Sequence, residues 1–323
     1  MDNPELSIVL PVFDRERYIG ETLKSLINQT YRDFELIIVD DASTDASLQI
    51  ARSFDDPRIR IITNDRNRGI AFSRNRGLQE ASGRFVAPFD SDDIALPDKF
   101  RKQTDFLKQY PEFGMVGSWA RMIDENGRLL RRNWKLNAKP ERIPAIMLFR
   151  NYFVQSSVVI RSEAIPAGGY VENFDLGEDY RMWIEIAEKY KTYNLPEYLI
   201  LYRLHTQNIM KSDAWKVMKY DQQIFQYLFR RLEIKTDDQV FSALFNIKNS
   251  EMIRDMNQLS EIEKLLMMIL QQNAKLKLYD QRQLSKEVFN RWMKCCYKSR
   301  THFWASINKF LSSPLTVDLY KSL

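Results

Sequence analysis

Three carboxylates fall within four residues at Asp90, Asp92 and Asp93, and two more stand side by side at Asp40 and Asp41. Each group follows an apolar run, Arg84-Phe85-Val86-Ala87-Pro88-Phe89 for the first and Phe34-Glu35-Leu36-Ile37-Ile38-Val39 for the second. Carboxylates this close repel one another, and a divalent cation offsets that cost. An all-oxygen ligand set suits Mg²⁺ or Mn²⁺, ions that keep several waters and bind a substrate diphosphate. Helix capping and turn formation are the structural alternative for both groups, and the default for Asp40-Asp41 taken alone. A third acidic pair, Glu178-Asp179, opens an amphipathic stretch that runs to Lys189. There a cap at the positive helix end competes with a general base as the explanation. His205 is the sole histidine ahead of residue 210. A lone histidine is more often a core or surface residue than a ligand, and Trp183 reads more readily as core than as a sugar platform.

The elements that must position these residues alternate. Leu6–Leu10, Phe34–Val39, Arg58–Ile62, Arg84–Phe89 and Met115–Ser118 read as strands, each a nearly continuous apolar run. Between them lie helices: one carrying Leu23, Leu26 and Ile27, one of about ten residues capped by Ser43-Thr44-Asp45, one from Ile70 to Ala81 stopped by Gly83, and one beginning at Pro97. Such an order predicts an α/β fold with a doubly wound, mostly parallel sheet. In that class ligands bind beyond the carboxyl ends of the strands, where the acidic groups and Pro11-Val12-Phe13-Asp14 fall. Asp124-Glu125-Asn126-Gly127 predicts a hairpin. Gln155–Ile160 and Tyr198–Arg203 read as further strands flanking the Glu178–Lys189 helix, so the second half of this domain is mixed α+β. No glycine-rich dinucleotide or Walker-type loop follows any strand, which argues against those cofactor classes. Pro88 is unusual in a central strand and points to a bulge or an unpaired position.

Four segments, in order and spacing, resemble the nucleotide half of the family 2 glycosyltransferases, which have the GT-A fold. They are Ser7–Asp14, Leu26–Tyr31 continuing through Phe34–Asp45, Asn67–Asn75 with Ala81-Ser82-Gly83, and Asp90-Ser91-Asp92-Asp93, the counterpart of the family's DxD motif. The usual asparagine of the first segment is Asp14 here. The resemblance covers roughly residues 5–210 and implies transfer from a nucleotide sugar, most commonly UDP-linked, to a hydroxyl of a glycan or lipid-linked glycan in surface polysaccharide assembly. It implies that Asp41 accepts from the base, with Pro11, Val12, Phe13 and Asp14 lining the same pocket and Asp40 supporting the turn. Arg74 would lie near the nucleotide or its phosphates, and Asp90, Ser91, Asp92 and Asp93 would serve ribose and metal. Leu176–Trp183 resembles the family's ED motif, which makes Asp179 the general base beside Glu178 and implies inversion. Tyr202–Asn208 resembles a stretch that closes over the diphosphate, placing His205 on phosphate or metal with Arg203 nearby, and Ser212 as the counterpart of a trailing serine. A metal-dependent nucleotidyltransferase and a catalytically silent nucleotide-sugar-binding scaffold are the alternatives.

The remaining third differs in composition. Of 323 residues, 44% are hydrophobic and 28% charged, and the net charge is +5. From Met210 onward there are 19 Lys+Arg against 12 Asp+Glu, so that part carries +7 and the rest −2. All 10 glycines lie at or before Gly177, and only Pro314 of the 11 prolines lies beyond Pro196. A stretch so poor in turn-formers predicts helix. Apolar residues recur at helical spacing at Val217, Tyr220, Ile224, Tyr227 and Leu228, at Leu259, Ile262, Leu266 and Ile269, and at Leu284, Val288, Trp292 and Cys295 or Cys296. The expected organisation is a catalytic domain over 1–209, divided near 118/119, and an all-α domain over 210–323. The last stretch, 271–323, holds ten Lys+Arg against three Asp+Glu, interleaved with Phe289, Trp292, Tyr297, Phe303, Trp304 and Phe310. A solvated basic face on a bundle and an anionic membrane contact both explain it. Without an accompanying motif the basic charge does not point to nucleic acid. Two adjacent cysteines, no long apolar run and an acidic N-terminus without a signal pattern lead us to expect a reducing, cytoplasmic setting, peripheral to the inner face of the cell membrane. His302 has no evident partner in sequence.

Overall fold

The structure is a computed structural model and describes residues 4–172, 177–205, 214–299 and 303–316. Ser212, His302 and the expected boundary at 209/210 lie outside the described residues. The chain divides into two compact units: Met1–Pro140 with Tyr152–Val217, and Glu141–Asn151 with Met218–Leu323.

The first unit is built on a nine-stranded sheet in the order β3-β2-β1-β4-β8-β6-β9-β5, with β7 paired to β6. β1 (Leu6–Val12), β2 (Phe34–Asp40), β3 (Ile59–Thr63) and β4 (Phe85–Pro88) pair in parallel. All seven residues of β1 are buried, as a central strand covered on both faces requires. α1 (Ile19–Ile27), α2 (Ser47–Arg52), α3 (Ile70–Glu80) and, after the short β5 (Ile94–Ala95), α4 (Lys99–Gln109) join these strands. The parallel region ends there. β8 (Val159–Arg161) inserts between β4 and β6 (Phe113–Ile123) and runs antiparallel to both. β6 thus keeps the direction of β4 without touching it, and β9 (Lys191–Arg203) continues in parallel with β6. β7 (Leu129–Trp134) closes the expected hairpin, with Gly127 at φ +81° and its N–H donated to Asp124 O.

Several local expectations are refined by what surrounds the residues. Residues 155–157 form a 3-10 turn, so the strand expected from Gln155 begins only at Val159. The helix after Ser43-Thr44-Asp45 is six residues long, Ser47–Arg52, and Asp45 Oδ1 accepts from Ser47 N at 2.9 Å at its start. Ser43 Oγ accepts from Asp14 N at 3.2 Å, and Asp45 Oδ2 accepts from Glu16 N at 3.0 Å. Pro88 pairs with Val9 on one side, while β8 pairing reaches only Phe85 and Val86 on the other. Its missing N–H therefore costs no bond to β8. α3 stops at Glu80, and Gly83 serves close approach: a Cβ there would lie 2.6 Å from Ser7 N and 2.8 Å from Leu6 C.

The second unit is helical. α5 (Ile143–Met147) belongs to it although it precedes β8 in the chain. α7 (Ala214–Arg231), α8 (Asp238–Lys248), α9 (Met256–Leu276), α10 (Gln281–Lys298) and α11 (Phe303–Ser312) complete it, after α6 (Glu178–Lys189) of the first unit. Asp237, Asp255 and Asp280 cap the starts of α8, α9 and α10, each accepting from the amide three residues on, which satisfies orphan donors of the first turn. The periodic apolar residues Leu259, Ile262, Leu266, Ile269, Leu284, Val288 and Trp292 are all buried. Glu287 is buried too, and it holds Arg142 of the inserted segment at 2.9 Å and Arg291 at 2.7 Å.

Lys99 is a buried basic residue with no ion pair to an acid among the described residues. Lys99, in the first turn of α4, is fully buried, and its Nζ lies 3.5 Å from Val158 O and 4.3 Å from the centre of the Phe100 ring. Burial drives its pKa well below the usual lysine value. The unfolded chain then binds a proton that the folded chain does not, so this residue destabilises most at low pH. Lys99→Met is expected to raise Tm by about 2–4 °C, equivalent to about 1 kcal/mol. Calorimetry across pH should show the gain shrinking as pH rises towards the unfolded lysine pKa.

Candidate active site

The carboxyl ends of β1, β2, β4 and β9 face one rim of the sheet, because these strands share a direction. Pro11 and Val12 are buried within β1, and Phe13 just beyond it is 38% exposed. Asp14 adopts φ +48°, a left-handed conformation that Asp and Asn tolerate best. Its Oδ1 accepts from Thr44 N at 2.8 Å and ties the β1 loop to the β2 loop. Asp41 accepts three bonds from its own chain: Oδ1 from Asn64 Nδ2 at 2.6 Å and Arg68 N at 2.9 Å, and Oδ2 from Gly69 N at 2.9 Å. It therefore anchors the loop that opens α3. Asp40, also buried, accepts from Ser43 N at 3.3 Å and holds the turn.

The four residues after β4 point in different directions. Asp90 Oδ1 lies 2.7 Å from Arg74 Nη2, and its amide donates to Ser156 Oγ at 3.0 Å. Ser91 is buried, with its carbonyl accepting from Thr22 Oγ1. Asp92 Oδ2 lies 2.8 Å from His205 Nε2 and 3.8 Å from Arg15 Nε. Asp93 is fully buried, accepts from Arg203 N at 2.9 Å, and has its pKa raised well above the usual value by burial and by the charges of Asp92 and Asp90. Asp92 and His205 are thus brought together, while Asp90 turns to Arg74 and Asp93 to the backbone of β9. A cavity of about 360 Å³ opens onto His205, lined also by Asp14, Arg15, Tyr18, Thr44 and Glu125.

Arg74 is the junction of the site. Its guanidinium is 3% exposed and forks between Asp90 and Glu178, the latter from the first turn of α6. Residues 74 and 178 are 104 positions apart in sequence. Tyr170 packs 5.3 Å from the guanidinium on one side, held by Gln155 Nε2 on its hydroxyl at 2.9 Å. The backbone of Tyr170 is clasped by Asn75, which accepts from its N–H at 2.7 Å and donates to its carbonyl at 2.8 Å. Gly177, at φ +81°, starts α6. Asp179 follows Glu178 and is pushed up to about 7 by burial and by the Glu178 charge, with Arg74 opposing. Arg74 therefore neutralises Asp90 and Glu178 while Asp179 is left poised near neutrality.

The residues present fit a divalent cation. Asp90, Asp92 and Asp93 raise one another's negative potential on the rim, and Asp92 with His205 offers one oxygen and one imidazole nitrogen at a cavity mouth. Among the described residues no three such ligands are grouped. An ion here would rest on two protein ligands and take its remaining ligands from a diphosphate and water, as Mg²⁺ and Mn²⁺ do.

Sequence alone did not reveal Tyr18, which stacks on the His205 ring at 4.9 Å, or Arg15 beside Asp92. Arg203, expected only to be nearby, is buried and binds Asp92 O, the Asp93 carboxylate through its amide, and Glu21. Asn75 stood inside the segment Asn67–Asn75, and that adjacency to Arg74 was the available signal. Trp183 is wholly buried and belongs to the core.

The model of the family described as "Glycosyl transferase family 2" matches residues 7–165. A putative glycosyltransferase of Bacillus subtilis, EpsE, is 32% identical over 252 residues, covering 74% of this chain and 87% of its own. Among solved structures, Staphylococcus aureus TarS residues 1–349 in complex with UDP-GlcNAc superposes with a TM-score of 0.61 at 19% identity, covering 91% of each chain. The mannosyltransferase PcManGT of Pyrobaculum calidifontis, in complex with GDP-Man and Mn²⁺, does so with a TM-score of 0.57 at 18% identity, covering 97% of this chain and 88% of its own.

Removing Arg74 would leave two carboxylates buried without their cation. Arg74→Met is expected to destabilise the first unit by about 3–5 kcal/mol, and Arg74→Lys, which keeps the charge but loses the fork, to recover only part of that. Urea unfolding of the three proteins measures both values.

Proposed function

Since the chain belongs to glycosyltransferase family 2 and has its GT-A fold, we propose that it transfers a hexosyl or N-acetylhexosaminyl group from a UDP-sugar to an acceptor hydroxyl, with inversion at the anomeric carbon. The acceptor we propose is a glycan or lipid-linked glycan of surface polysaccharide or lipopolysaccharide assembly. The observation that carries the mechanism is the ion pair of Arg74 with Glu178 beside the raised carboxyl of Asp179. Glu178 is committed to an ion pair, whereas Asp179 is part-buried at the start of α6 and titrates near neutral pH. A base of that kind takes a proton from a hydroxyl and holds it within the working pH range.

In the proposed step the acceptor oxygen attacks the anomeric carbon and its proton passes to an Asp179 carboxylate oxygen. The bond from the anomeric carbon to the diphosphate oxygen breaks, and its electron pair leaves with UDP. One displacement with one base inverts the centre. The loops after β1 and β2, held to each other by Asp14 and Thr44 and to α3 by Asp41, form the wall against which the base and ribose rest. Asp90, held by Arg74, would receive the ribose. Asp92 and His205 would hold a divalent cation, which supplies Lewis-acid stabilisation of the departing diphosphate. Mn²⁺ is the ion favoured by the similarity to PcManGT, and UDP is the nucleotide favoured by that to TarS. A nucleotidyltransferase would need neither an Asp179-type base nor the acceptor-side helix and strand, which α6 and β9 provide.

Asp179→Asn is expected to bind UDP as the parent does, by calorimetric titration, and to lose transfer by at least about a hundredfold. Surviving transfer would remove Asp179 from the role of base. The rate should also depend on pH in one direction. Asp179 works only when ionised, so kcat/KM should fall on acidification along a one-proton limb centred near 7, and steady-state rates from acid to mildly alkaline pH measure it. A thermal-shift panel of UDP- and GDP-sugars with Mn²⁺ should single out the donor, since stabilisation grows as RT ln(1 + [L]/Kd). A GDP-sugar giving the largest shift would overturn the choice of nucleotide.

A further inference from the structure

The basic excess of the second unit is concentrated on its last two helices. Three acids occur in 271–323, against ten Lys+Arg. Of the two that are described, Asp280 caps α10, and Glu287 is buried between Arg142 and Arg291. The lysines of α10 are left to crowd one another: burial and the neighbouring charges of Arg291 and Lys298 lower the pKa of Lys294.

The same helices expose large apolar side chains. On α11, one side is spent on packing. Ser306 is 2% exposed, Lys309 pairs with Glu263, and the Phe310 ring lies 5.9 Å from that of Phe289 on α10. The other side presents Trp304 and Leu311, seven residues apart, at 73% and 61% exposure. On α10, Met293 and Tyr297 sit one turn apart and are also exposed, Tyr297 by 77%. Phe289, Met293 and Tyr297 follow at four-residue steps, so this exposed stripe continues from the residue that contacts α11. Lys286, Lys294 and Lys298 flank it.

We propose that this surface of α10 and α11 docks on an anionic lipid bilayer. Tryptophan, tyrosine and leucine among lysines match the chemistry of an interface that is apolar below and negatively charged above. No helix among the described residues is long and apolar enough to cross a membrane, so the contact lies in the headgroup plane. Each lysine contributes electrostatic attraction that salt weakens, and the aromatic and aliphatic side chains contribute partitioning that salt does not remove. The inference is independent of the transfer reaction and holds whatever sugar moves.

Sedimentation of the full chain with phosphatidylcholine vesicles, with and without phosphatidylglycerol, tests it. The chain is expected to pellet with the anionic vesicles and to stay in the supernatant with the neutral ones. Lys286→Gln, Lys294→Gln and Lys298→Gln together should weaken the partition by about fivefold per charge removed. Trp304→Ser with Leu311→Ser should weaken it by at least about tenfold, with far-ultraviolet circular dichroism checking that the fold is retained. Equal pelleting with the two vesicle types overturns the proposal. So does parent-like binding by the Trp304→Ser, Leu311→Ser protein. If that double substitution instead converts a dimer to a monomer in analytical ultracentrifugation with vesicle binding intact, the surface joins two copies of the chain and the proposal is equally overturned.

Discussion

The site depends on one buried guanidinium. Arg74 stands on α3, where it reaches Asp90 at the end of β4 and Glu178 at the start of α6. Two carboxylates buried this close to a third, Asp179, would not all stay ionised unaided. The planar fork answers two of them with directed bonds, while burial and the Glu178 charge raise the third. The end of β4 and the start of α6 are thereby held in one arrangement, although their residues are far apart in sequence. Asn75, one residue on, clasps the Tyr170 backbone whose ring packs against that same guanidinium. The tandem Arg74-Asn75 therefore holds both Tyr170 and Glu178.

A second, smaller network sits at the other side of the rim. Arg203 fixes the Asp92 carbonyl and the Asp93 carboxylate, and Tyr18 stacks on His205. These contacts orient the Asp92–His205 pair without entering it, in the way outer partners orient metal ligands. Asp93, the most deeply buried of the three rim acids, faces the backbone and shapes the loop. The DxD-like segment thus divides its labour: one acid for the arginine fork, one for the histidine, one for the turn.

Much of this was legible in the sequence because it is local. Continuous apolar runs marked β1, β2 and β4, the residues after them marked the rim, and the Glu178–Lys189 periodicity gave α6 with its bounds as observed. The hairpin at Asp124–Gly127 followed from turn chemistry. What was not legible is long-range. Nothing near Arg74 announces Glu178, and nothing near His205 announces Tyr18. β8 lies between β4 and β6 because a strand with only three residues can enter antiparallel, a pairing that no apolar run encodes. The segment Glu141–Asn151 joins the helical unit through Arg142 and Glu287, a buried ion pair whose members look like ordinary surface residues in sequence.

The central claim is that Arg74 holds Glu178 in an ion pair while Asp179 titrates near neutrality. The most direct test follows the Asp179 carboxyl itself by ¹³C NMR, in the parent and in Glu178→Gln, with Asp179→Asn to assign the signal. A midpoint near 7 is expected in the parent. A clearly lower one is expected in Glu178→Gln, where the raising charge of Glu178 is gone. A parent midpoint at the ordinary carboxylate value, or one that ignores the loss of Glu178, would contradict the account.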